Sequence, residues 1–73
     1  MFPRIETFYE DNLWKNRRSG DAQVFAVFDT KAEAVLAARE TALREGAEHV
    51  VRGVGGDVEQ IVFPGDRPWR RIG

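Results

Sequence analysis

Seventy-three residues, 42% of them hydrophobic and 32% charged, place this chain near the lower size limit for one domain that folds without staples. Cysteine is absent, which excludes disulfides, thiolate zinc sites and a cysteine nucleophile, and fits a reducing cytoplasm. Eleven basic residues face twelve acidic ones for a net charge of −1, without the bulk basic excess of a dedicated nucleic-acid binder.

The start, "MFPRIETFYED", lacks the basic end and apolar stretch of a signal peptide. No apolar run exceeds Ala34 to Ala38, so no membrane span is expected. "RIETFY" and "LWKNRR" then read as a hairpin around Asp11-Asn12, since Asn tolerates the positive φ of a tight turn. That register sets Tyr9 opposite Trp14, Thr7 opposite Asn16 and Ile5 opposite Arg18 on one face. It sets Phe8 opposite Lys15 and Glu6 opposite Arg17 on the other. An aromatic pair and an ion pair fall into place together, each worth roughly 0.2–1 kcal/mol.

A third strand, "QVFAVF", follows the turn residues Ser19-Gly20-Asp21. Being apolar on both faces, it is predicted to be a central strand.

"DTKAEAVLAARETALREG" predicts a helix with both ends marked. Thr30 as N-cap and Glu33 form a capping box, and Gly46 is the left-handed stop. Ala34, Val35, Ala38 and Ala42 share the apolar arc, with Ala32, Leu36 and Leu43 at its edge. Arg39 lies close to that arc, its stem able to pack while its guanidinium reaches solvent or a partner. Small side chains let a helix axis approach closely, and a twisted sheet is the natural surface beneath.

"EHVVRGV" and "DVEQIVF" predict a second hairpin. With Gly55-Gly56 as turn centre, Arg52 faces Glu59, Val50 faces Ile61 and Val51 faces Gln60. The order is β-β-β-α-β-β, an α+β domain with a mainly antiparallel sheet and one helix packed on one face. Residues 1–73 form a single domain, with 64–73, "PGDRPWRRIG", as a loose C-terminal tail.

Trp14 early in a strand, "FDTKAEA" at the end of the next, "REGAEHVV" and the turn "GGD" together resemble the small prokaryotic family "domain of unknown function 2188". The likeness runs from about Ile5 to Asp66. It departs at Val54-Gly55-Gly56-Asp57, where members often show Asp-Gly, and at Trp69-Arg70-Arg71, where a Pro-rich end is expected. The resemblance implies the same small α+β architecture and brings no activity.

Motif by motif, catalysis finds little support. "RGVGGD" precedes a strand, whereas a phosphate cradle needs a helix N-terminus after it. His49 is the only histidine, and no spacing singles out a partner for it, which points to a structural or exposed side chain. Neither a cofactor nor a metal site is expected, and the chain is read as a non-enzyme. The dense basic clusters are "KNRR" and "RPWRR". Lys15, Arg17, Arg18, Arg70 and Arg71, with Phe8 and Trp69 for stacking, are the candidate contacts to nucleic acid or another partner. The competing reading is a solvated sheet face laced by Glu6–Arg17.

A helix about 10 Å wide covers two or three strands spaced roughly 4.8 Å apart, and the chain supplies five. Surplus apolar area is therefore expected to seek a partner. The leading reading is a small cytoplasmic binding module that forms a homodimer, sheet face to sheet face or through strand edges. The alternative is a nucleic-acid-binding accessory protein.

Overall fold

The computed structural model describes residues 3–63; the tail assignment at 64–73 and the candidates Trp69, Arg70 and Arg71 lie outside the described residues. Five strands and one helix follow in the expected order: β1 (Arg4–Glu10), β2 (Leu13–Arg18), β3 (Val24–Phe28), α1 (Lys31–Glu45), β4 (Glu48–Arg52) and β5 (Val58–Val62). They form one sheet ordered β3-β2-β1-β4-β5. All pairings are antiparallel except β1 with β4.

The β1–β2 hairpin adopts the register predicted from its side chains, from Ile5↔Arg18 to Glu10↔Leu13. Asp11 and Asn12 take φ of 55° and 65°, the left-handed pair that matches the twist of the flanking strands. The Tyr9 and Trp14 rings lie 5.0 Å apart.

Two expectations about the sheet change. β3 is an edge strand, not a central one, because β1 takes the middle by pairing in parallel with β4 after the helix crossover. At the other end of the sheet, the turn closes one residue earlier than the glycine pair suggests. Gly56 N–H donates to Gly53 O at 2.9 Å, and Gly56 takes φ 93°. The extra residue shifts the ladder between Val51 and Arg52, so Arg52 faces Val58 rather than Glu59. Arg52 turns instead to Glu6, and Glu59 to Lys31.

α1 starts at Thr30, whose Oγ1 accepts from Glu33 N at 3.2 Å and donates to Glu33 Oε1 at 2.9 Å. It ends at Gly46 with φ 67° and ψ 35°. The helix packs on β1, β2, β3 and β4, more strands than its width predicts. It reaches β5 through the side chains of Lys31 and Arg39.

Ala34, Ala38 and Ala42 are buried against the sheet, joined by Thr41. Leu36 and Leu43, placed at the arc's edge, point outward. The reason for the alanines lies beneath them. Asn16 Nδ2 donates to the Ala34 carbonyl at 3.0 Å, an approach that a larger residue at 34 or 38 would obstruct. Ile5, Ala38, Ala42 and Ala47 form the apolar cluster.

Candidate functional site

Strand alternation sorts the sheet into two faces. Ile5, Thr7, Trp14, Asn16, His49 and Val51 face the helix; Glu6, Phe8, Lys15, Arg17, Val50 and Arg52 face away.

The outward face brings together three of the predicted contacts, Phe8, Lys15 and Arg17. The Arg17 guanidinium sits 4.6 Å from the centre of the Phe8 ring. It also donates to Glu6 Oε1 at 3.2 Å, while Arg52 donates to Glu6 Oε2 at 3.1 Å. Burial pushes the Glu6 carboxyl up, but the two guanidinium partners outweigh it and hold the group below the usual carboxylate range. Lys15 lies between Glu10 at 3.1 Å and Asp11 at 3.5 Å; the hydrogen bond to Glu10 raises its pKa. Arg18 departs from the group. It pairs with Glu45 at the end of α1 and lies over Phe25, and that hydrogen bond raises Arg18 and lowers Glu45. Each described member of the first basic cluster thus holds a carboxylate.

The helix-side face contains a polar row that residue-by-residue reading misses. Thr7 Oγ1 donates to Asn16 Oδ1 at 2.7 Å and lies 2.8 Å from His49 Nε2. Arg39 Nε donates to His49 Nδ1 at 2.9 Å, and Arg39 Nη2 donates to Gln60 Oε1 at 3.3 Å. The proton inventory assigns the tautomer. A threonine hydroxyl has one proton, and Asn16 takes it, so His49 Nε2 carries the hydrogen toward Thr7 and Nδ1 accepts from Arg39. The imidazole is neutral. Burial pushes its pKa down, and the Arg39 charge lowers it further, to about 4. His49 is therefore structural and enclosed, with no exposed surface. The Thr7–Asn16 half of the row was visible in the hairpin register. The His49 half needs the parallel β1–β4 pairing, and no local pattern announces a contact 42 residues apart.

Beyond this row, a groove of about 850 Å³, open to solvent, runs between α1 and β5. Its walls are Ala32, Val35 and Leu36 on the helix, with Val51 and Gln60 on the sheet and Arg39 at one end. Lys31 closes the other end in an ion pair with Glu59. Among the described residues, no group of three His, Cys, Asp or Glu side chains is placed to hold a metal ion. No described helix is long and apolar enough to cross a membrane.

The two sheet edges differ in chemistry. β5 carries Glu59 and Gln60 and has exposed Val58 and Ile61. β3 is Val24-Phe25-Ala26-Val27-Phe28, with no polar side chain, and Phe25 and Val27 are 39% and 50% exposed.

Residues 5–61 match the family described as "uncharacterized protein conserved in bacteria" (DUF2188). No curated protein and no solved structure matches the chain.

Proposed function

The chain belongs to this bacterial family, and from that premise we propose that it is a non-catalytic module that works by self-association through β3. The observation that carries the proposal is an interior-type strand standing at an edge. Exposed strand edges pair with other chains unless charge, proline, a bulge or a covering element blunts them. Both edge strands carry one bulge, at Phe25 in β3 and at Glu59 in β5, but only β5 adds a charge, in Glu59, whereas β3 has none in its five residues.

The β3 sequence is also self-complementary. Antiparallel pairing with a second copy about Ala26 sets Val24 against the partner's Phe28 and Phe25 against the partner's Val27. The two-fold axis repeats both pairs. Four aromatic–β-branched pairs result, each worth roughly 0.2–1 kcal/mol, with Ala26 facing its own copy. Asp29 then falls opposite the partner's Gln23, so no like charges meet. The same patch serves both copies, as an isologous dimer requires. A non-catalytic role is supported by His49: the single imidazole is enclosed and engaged on both nitrogens.

Sedimentation at micromolar concentration tests the proposal. The wild-type chain is expected at twice 8.3 kDa, Val27→Glu as a monomer, and Ile61→Glu, on the opposite edge, still as a dimer. A wild-type monomer, or association lost in Ile61→Glu but kept in Val27→Glu, would overturn it.

Nucleic-acid binding is the second reading, favoured by Phe8, Arg17 and Lys15 sharing the outward face. It requires phosphates to displace Glu6, Glu10 and Asp11 from their cations. Its signature is affinity for a duplex or single strand that falls steeply with salt; no binding at low salt removes it.

A further inference from the structure

We infer that the groove between α1 and β5 binds a small amphiphile with an anionic head and an apolar chain, and that Arg39 is the anion contact. This site lies on the sheet edge opposite β3 and stands independently of self-association.

Of the two cations in the groove, Lys31 is neutralised by Glu59. Arg39 has no carboxylate within ion-pair distance among the described residues. Its two hydrogen-bond partners, His49 and Gln60, are both neutral. The guanidinium is therefore held in place with no carboxylate among the described residues to compensate its charge.

Geometry follows from the donor inventory. A guanidinium has five N–H donors in a rigid fork. Arg39 uses Nε on His49 and one Nη2 proton on Gln60, leaving both Nη1 protons and one on Nη2 for a ligand. Charge-assisted bonds from such a fork to a carboxylate are roughly twice as strong as neutral ones. Fixing the side chain beforehand removes part of the ordering cost that binding would otherwise carry.

The rest of the groove sets the body of the ligand. Ala32, Val35, Leu36 and Val51 are apolar, and Leu36 is 68% exposed on the helix wall. From Ala32 to Arg39 the helix advances about 10 Å at 1.5 Å per residue, the reach of a medium-length alkyl chain. The volume lies within the usual range for small-molecule sites, about 300–1,000 Å³, and the groove is open on its solvent side, so one flank of a bound chain would stay in water. The Lys31–Glu59 pair at the far end offers no uncompensated charge, which suits a chain terminus better than a second head group.

The test is an NMR titration of the full chain with decanoate and, separately, with decanol. Decanoate is expected to shift amide signals of Val35, Leu36, Arg39, Val51 and Gln60 saturably, and decanol to bind roughly tenfold or more weakly. Arg39→Gln is expected to abolish the preference for the acid. Because Arg39 also supports His49, Leu36→Glu supplies a second variant at an exposed position; its carboxylate puts a like charge on the groove wall and stands three residues from Arg39, where it competes for the guanidinium, so it should weaken decanoate at least as much. No saturable shift with decanoate, equal response to both probes, shifts that map elsewhere, or unchanged decanoate affinity in Leu36→Glu would each overturn the assignment.

Discussion

The Thr7 hydroxyl and the His49 imidazole meet at 2.8 Å across the parallel β1–β4 pair, and neither residue has any exposed surface. The contact joins the hairpin half of the molecule to the half that follows the helix. Its polarity explains the alanine face of α1, since Asn16, Thr7 and His49 rise from the sheet where larger helix side chains would otherwise sit. Hydrogen bonds to Ala34 O and Arg39 then tie the row to the helix.

Acid should destabilise the fold through His49. In the unfolded chain the imidazole takes a proton near 6.5, and in the folded protein only near 4. Between those values the unfolded state binds more protons, so stability falls as pH drops through this window and is restored above it. The loss amounts to roughly 2–3 kcal/mol. Urea unfolding at pH 7 and pH 4 measures it. The sole imidazole in the sequence also reports its own pKa by NMR, expected near 4; titration near 6.5 would contradict the enclosed network.

Thr7→Val keeps the shape and removes the hinge of the polar row. Asn16 Oδ1 and His49 Nε2 would then be buried without their shared partner. The expected cost is about 1–3 kcal/mol, read from the urea midpoint. A neutral result would mean that the row contributes nothing to stability.

Ala38→Leu and Leu43→Ala should behave in opposite senses to simple hydrophobicity. Ala38 has no exposed surface and sits against the sheet, so the larger side chain should overpack the contact by roughly 1–3 kcal/mol. Leu43 is 50% exposed, and its truncation should stay within about 0.5 kcal/mol. Thermal or urea unfolding of the two variants checks both.

Local chemistry made much of this fold legible. Cross-strand pairing of Tyr9 with Trp14 and Glu6 with Arg17 specified one register for the first hairpin, and Thr30 and Gly46 marked the helix ends. Non-local choices were not legible. Whether β3 or β1 occupies the middle depends on where β4 lands after the crossover, and β3's apolar composition pointed the other way. In the second hairpin, Gly55 and Gly56 are equally suited to a turn centre, and only the left-handed φ of Gly56 reveals the added residue that separates Arg52 from Glu59. The groove was invisible for the same reason, since Arg39 and Gln60 meet only once β5 lies beside β4. Of the candidate contacts, Phe8, Lys15 and Arg17 do share a face, and Arg18 leaves it because Ile5, its cross-strand neighbour, faces the helix.

The proposed β3 pairing makes a sharp geometric demand: Ala26 must stand opposite itself on the dimer axis. In a chain without cysteine, Ala26→Cys introduces a single thiol there, and Ile61→Cys places one on the other edge. Under mild oxidation the first is expected to form a disulfide-linked dimer quickly and nearly completely, and the second slowly if at all. Equal rates, or faster linkage through position 61, would contradict the account.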